Sequence, residues 1–371
     1  MTDTADDGLI LAVRVARPTR ATRELLEARE HQILSPWAAF SDQSRGRSRA
    51  EESDCYRTNF QRDRDRILHS KSFRRLAHKT QVFLAPEGDH YRTRLTHSLE
   101  VMQIARSCAR GLCLNEDLTE AIALGHDLGH TPFGHTGERT LSRALEQYRG
   151  LEPSELTAHD EPTLFKHNEQ SGRIVELLEK DGRGLNLSWE VVNGIVCHTG
   201  PVKAATLEGQ IVCLADRIAY VTHDIDDACR AGLLREDQLP AAACEILGST
   251  GSARIKTMIE DMIAASAGHD TIRMSDAVYD AMMTLRAYLT DTIYSNSDAK
   301  VEEPKADQLL EHLFFYFIDH VDQLPDEYRI HDADKPEVQV ADFIAGMTDR
   351  YAIRTFQKMM VPRSWCMGGS V

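Results

Sequence analysis

The segment Gly125-His126-Asp127-Leu128-Gly129-His130-Thr131-Pro132-Phe133-Gly134-His135-Thr136-Gly137-Glu138 places three histidines and two carboxylates within thirteen residues. Imidazole and carboxylate together can hold a divalent cation or run acid–base chemistry. The interleaved glycines let the backbone come close to a ligand. On a regular helix His126 and Asp127 would point about 100° apart, as 3.6 residues per turn requires. Both reach one ion only where the helix ends, and Gly129 and Pro132 supply that end. The competing reading is a polar helix terminus whose histidines bond backbone carbonyls; the density of ligand-type groups favours a site. A second cluster, Asp216-Arg217-Ile218-Ala219-Tyr220-Val221-Thr222-His223-Asp224, sits in apolar sequence. Asp216, Tyr220 and Asp224 follow i, i+4, i+8 spacing and share one helix face. A carboxylate there is costly to bury unless it meets a cation or a hydrogen-bond donor; a solvated stripe is the alternative. His97, in Arg92-Thr93-Arg94-Leu95-Thr96-His97-Ser98, opens an amphipathic helix and is ordinary taken alone.

The elements that carry these groups read as helices. Thr22–Glu30 is a short amphipathic helix, and helical spacing returns over 63–80. Thr96–Leu114 is a long helix with one buried face, and Asn115 caps a following helix that ends near Gly125. Residues 125–137 form an irregular turn, with helices resuming at Glu138–Tyr148, Asn168–Glu179, Trp189–His198 and Thr206–Ala231. Four or five more fill 236–360. The expected fold is all-α with one main domain. Residues 149–166 form the candidate mobile loop, and the charge-dense run 41–66 reads as a solvated loop.

The 371 residues are 42% hydrophobic and 27% charged, a globular mix. No apolar run approaches the roughly 18–20 residues that span a membrane. The apolar run Gly8–Ala16 is broken by Arg14 and preceded by acids, unlike a secretory signal. A cytoplasmic protein is expected. The net charge of −15 excludes a general coater of nucleic acid, yet leaves room for a local basic pocket that takes a small polyanion. The eight cysteines (Cys55, Cys108, Cys113, Cys197, Cys213, Cys229, Cys244, Cys366) form no C-x-x-C pair, which argues against a zinc ribbon or a thioredoxin-type motif. They read as reduced, mostly buried thiols.

The order His97, His126-Asp127, Asp216 resembles the HD superfamily of metal-dependent phosphohydrolases. The stretches Phe73–Phe83, Thr93–Val101 and Gly125–Glu138, with the Asp-x-x-x-Tyr-x-x-x-Asp spacing, resemble one family within it, the dGTPase-like triphosphohydrolases of bacteria. Ala341–Arg350 is similar to that family's C-terminal helix, so the resemblance runs from about residue 60 to 360. It implies an HD-domain helical bundle with additional C-terminal helices. The implied division is an N-terminal extension at 1–60, partly mobile, a catalytic core at 61–235 and a C-terminal helical region at 236–371 packed on that core.

By the same resemblance, His97, His126, Asp127 and Asp216 would bind one divalent ion per subunit. Such a mixed donor set suits Mn²⁺, Fe²⁺, Ni²⁺ or Zn²⁺ better than Mg²⁺, without choosing among them. Water would attack the α-phosphorus of a dNTP and release a deoxynucleoside and tripolyphosphate. His130, His135 and Glu138 match catalytic positions, and His167 supplies another group, with a register open between His167 and Asn168. Arg94 and Arg217 match phosphate contacts, Tyr220 a sugar contact that excludes a 2′-hydroxyl, and Asp224 an acceptor for the 3′-hydroxyl. Arg75 and His78 fall where the family approaches sugar or base. The substrate is dGTP or several dNTPs, because no base-specific signature is readable. A homo-oligomer with a dNTP effector site between subunits is also implied. The alternatives are another HD-type nucleotide hydrolase (pyrophosphatase, 5′-nucleotidase or phosphodiesterase) and a regulatory protein that binds dNTP or single-stranded DNA without turnover. The arginines between Ser44 and Arg66 favour the last.

Overall fold

Short polar side chains write the helix starts. In a computed structural model, which describes residues 21–81, 92–152, 162–294, 301–330 and 335–362, Thr22 accepts from the Leu25 amide to open α1 (Arg23–Ile33). Thr58 and Gln61 cap α2 (Asn59–Leu68) reciprocally, and the short α3 (Lys71–Arg75) follows. Thr93 caps α4 (Arg94–Gly111). Asn115 Oδ1 accepts from the Leu118 amide at 3.1 Å ahead of α5 (Glu116–Gly125), as its sequence predicts. Next come α6 (Gly134–Tyr148), α7 (His167–Arg173), the tight turn α8 (Glu179–Gly182), α9 (Trp189–Val196) and the long α10 (Leu207–Arg230).

Among the described residues six helices rather than four or five occupy the remainder: α11 (Ala241–Leu247), α12 (Gly251–Ser266), α13 (Asp276–Leu289), α14 (Glu303–Asp319), α15 (Pro336–Ala345) and α16 (Asp349–Met360). One of the extra breaks falls at Gly248, whose φ of 104° stops α11 before Thr250 caps α12. The fold is all-α, and among the described residues no strand forms. The apolar run at 8–16, Cys366 and the middle of the 149–166 loop lie outside the described residues.

The helices bury their apolar faces in two separate cores. Phe60, Ile104, Ile122, Val191, Ile218, Met258 and Leu285 belong to the first, built from α2, α4, α5 and α9 to α13. Leu141, Leu310, Phe314, Ile344 and Ala352 belong to the second, built from α6 and α14 to α16. The turn between α5 and α6 crosses from one to the other, with Leu128 in the first core and Phe133 in the second. That crossing carries most of the chemistry-bearing residues.

The charge-dense run 41–66 is a largely exposed loop over 44–57, as its composition predicts, but 59–66 belongs to α2 and several of the arginines are held in place. Arg47 is buried against Asp63 and donates to the Asn186 carbonyl at 2.6 Å. Arg57, Arg62, Arg64 and Arg66 pair with Asp or Glu side chains, which offsets much of the local basic charge, while Arg45 lies over the Trp189 ring. Alternating charges within the run supply the partners that composition alone does not place.

Candidate functional site

A cavity of about 280 Å³ opens where the two cores meet. His97, Asp127, His130, His135, Glu138, His167, Asp216, Arg94, Arg217 and Tyr220 all line it, as does His198. His126 lies just behind, fully buried.

The first half of the site is built by three long helices of the first core. His97 stands in the first turns of α4, and its Nε2 is 2.9 Å from Asp216 Oδ1 on α10. His126 sits at the end of α5 and points Nδ1 at the Ala123 carbonyl, 2.7 Å away, which fixes that nitrogen as the donor. Its Nε2 therefore faces inward, 3.4 Å from Asp127 Oδ1 and 3.7 Å from Asp216 Oδ1, with no hydrogen-bond partner. An orphaned imidazole nitrogen between two carboxylates fits a divalent cation. Burial works against a charged His126, but the two carboxylates outweigh it and push its pKa up to about 9. Asp127 is buried, which raises its pKa; the neighbouring His126, His130 and Arg94 hold it well below the usual range regardless. The point collects positive charge.

The second half is held by a turn and two helix ends. Glu138 on α6 is the hub. Its Oε2 lies 3.1 Å from His135 Nδ1, and its Oε1 accepts from the backbone amide of His167 at 2.7 Å and meets His167 Nδ1 at 2.8 Å. His167 is the first residue of α7 and stacks on His130 at 3.9 Å, while Asn168, which also lines the cavity, donates to the Val196 carbonyl. Gly129 permits this approach: a Cβ there would lie 2.3 Å from the His167 carbonyl oxygen. Ser171 completes the join by accepting from the Gly129 amide and donating to the His126 carbonyl.

His198, just past α9, is the site residue that sequence reasoning passed over. Its Nδ1 donates to the Ile195 carbonyl at 2.7 Å, so its Nε2 is an acceptor, 3.2 Å from His167 Nε2. Burial, with His126 beside it, drops the His198 pKa to about 3. For two imidazoles to meet in this way His167 must donate from both nitrogens. Burial opposes that charge, yet the Glu138 carboxylate keeps the His167 pKa above its ordinary value. Nothing in Cys197-His198-Thr199 announces this role; only its place at a helix end among other histidines does.

Cations surround the cavity. Arg94 donates to Asp127 Oδ2 at 2.9 Å, and its buried Nε and Nη2 have no partner. Arg217 reaches Tyr279 on α13, and Arg139, Lys166 and Arg286 also line the wall, none of them anticipated from sequence. Three expected contacts are placed elsewhere. Arg75 meets the Tyr328 hydroxyl at 3.2 Å in a separate small cavity. His78 is exposed outside the lining, and Asp224 is buried one helical turn beyond Tyr220, also outside it. The i, i+8 register on α10 carries Asp224 about 12 Å along the axis from Asp216, past the cavity.

Residues 94–221 match the HD domain, which defines the class, and residues 272–358 match the phosphohydrolase-associated domain. The chain is 53% identical to the deoxyguanosinetriphosphate triphosphohydrolase-like protein of Caldanaerobacter subterraneus subsp. tengcongensis, over 92% of this chain and 97% of that one. Proteins of the same name from Desulfatibacillum aliphaticivorans and Clostridium perfringens strain 13 are each 46% identical, over 92% of this chain and 98% of theirs. The chain belongs to the deoxyguanosinetriphosphate triphosphohydrolase-like family of HD-domain hydrolases.

Proposed function

We propose that the protein is a metal-dependent dNTP triphosphohydrolase, which cleaves its substrate with water at the α-phosphorus to a deoxynucleoside and tripolyphosphate. The observation that carries the reading is Glu138 held between His135 and His167, beside four converging ligand groups. His97, His126, Asp127 and Asp216 would hold the cation. When bound, a divalent cation neutralises phosphate oxygens and polarises the phosphorus towards attack.

The side chains handle the rest. Glu138 is a carboxylate, so His135 Nδ1 carries the proton it shares with Glu138, and His135 Nε2 presents a lone pair to the cavity. His135 is then placed to take a proton from the attacking water or to serve the leaving 5′-oxygen. His167, charged and pinned by Glu138, lends positive charge to the phosphate together with Arg94 and Arg217, while His130, whose pKa burial holds well below the ordinary imidazole range, contacts the phosphate as a neutral ring. Tyr220 packs on the sugar and disfavours a 2′-hydroxyl. The same reading makes the protein a cytoplasmic homo-oligomer acting on dNTP.

Incubation with each dNTP and rNTP, under Mn²⁺ and under Mg²⁺, tests the proposal. Tripolyphosphate from dNTPs, with rNTPs cleaved more slowly, is expected. Monophosphate and pyrophosphate would make it a pyrophosphatase instead. No turnover with metal and dNTP both retained would make it a binding protein.

A further inference from the structure

The crossing between the two cores contains a residue whose backbone should resist its position. Phe133, the residue before α6, takes φ 61° and ψ 23°, the left-handed region that side chains other than glycine rarely occupy. It lies two residues before His135 and five before Glu138. Its side chain is buried in the second core. Its backbone amide donates to Asp349 Oδ1 at 3.0 Å. Asp349 is the first residue of α16, buried, more than two hundred residues away in the chain. Its other oxygen accepts from the Thr80 amide at 3.0 Å and from the Thr80 hydroxyl. One residue back, buried Lys79 donates to the carbonyls of His130 and Ala345, again joining the turn to the C-terminal helices.

We propose that Asp349 is a positioning residue: by holding the Phe133 amide it fixes the left-handed turn that starts α6, and so aims His135 and Glu138 at the cavity. The C-terminal helices then set the geometry of catalysis as well as covering the core. This rests on the reading of His135 and Glu138 as the proton-handling pair. Carboxylate is the right group at this point. It offers two acceptor oxygens to three donors, and the amino end of α16 favours its negative charge. Lys79 and Asp349 have no counterpart role in the cavity itself, whose wall they stand behind.

The test compares Asp349→Ala, Asp349→Glu and Asp349→Asn in the full chain. Metal content, kcat and KM for dNTP are measured, with histidine ¹⁵N spectra of the Zn²⁺-loaded proteins. Asp349→Ala should lose about 30–100-fold in kcat, the scale of a misplaced catalytic group, with KM and metal content unchanged. Its His135 signals should move while those of His97 stay. Asp349→Glu, which keeps the charge but shifts the acceptor by one methylene, should fold and lose kcat in the same sense. Asp349→Asn keeps one oxygen for the Phe133 amide and should recover most of the rate. Unchanged kcat and unchanged His135 signals in the Ala or Glu variant, whatever their melting temperatures, would overturn the proposal. A wild type that releases no tripolyphosphate would sink the reading of the reaction, and the His135 signals would still decide the role of Asp349.

Discussion

The cation-collecting half of the cavity and its imidazole wall are built in opposite ways. In the first, His97, His126, Asp127 and Asp216 project from the ends and faces of long helices that share one apolar core, and their positions follow from helical period. In the second, His135, Glu138 and His167 are placed by a turn, a helix start and contacts that cross between two cores. Charge divides the same way. Two carboxylates draw positive charge into the first half, whereas a single carboxylate in the second is shared by two imidazoles. A rigid frame suits the holding of an ion. A hub with several donors suits the movement of a proton, because each partner fixes which nitrogen of its neighbour carries hydrogen.

The difference can be broken by substitution. Asp216→Ala should release the metal and reduce hydrolysis by roughly 10³-fold or more, the several kcal/mol of charge stabilisation a cation supplies; metal analysis by mass spectrometry and tripolyphosphate release measure both. Glu138→Gln should keep the metal and lower kcat by about 10²–10⁴-fold, the usual scale of general acid–base catalysis. A Gln variant that lost its metal would show that the two halves are one site. His198→Ala falls between them, because His198 touches His167 on one side and His126 on the other. Loss of one hydrogen bond to a charged ring should lower kcat about 10-fold with metal retained; metal loss there would move His198 into the ligand set.

The smallest effect concerns stability. Burial pushes the Lys79 pKa down to about 7 from 10.5. Between these values the unfolded chain holds a proton that the folded protein has released, so stability rises with pH through that window. Wild-type stability relative to Lys79→Met should therefore climb from about pH 7 to 10.5, measured by urea unfolding, and a flat difference would contradict the burial of the charge.

Residues whose position depends on local period were legible in the sequence. The cap at Asn115, the helix end at His126-Asp127 and the shared face of Asp216 and Tyr220 all follow from spacing, and Asp127, Asp216 and Tyr220 line one cavity. The residues that lie outside the cavity lining depend on long-range packing. Asp224 obeys the same period but overshoots, since a straight helix leaves a small cavity within two turns. Arg75 and His78 precede a segment whose path sequence does not fix, and they end on other surfaces. His198 was invisible because an isolated histidine after an apolar helix has no pattern of its own. Arg47, Arg57, Arg62, Arg64 and Arg66 looked free only because their carboxylate partners are interleaved with them or lie far along the chain.

The most direct test of the account is hydrolysis of a dNTP in H₂¹⁸O, with the phosphorus products resolved by ³¹P NMR. Attack at the α-phosphorus predicts tripolyphosphate carrying one ¹⁸O and an unlabelled deoxynucleoside. Label in the nucleoside, or pyrophosphate appearing in place of tripolyphosphate, would contradict it.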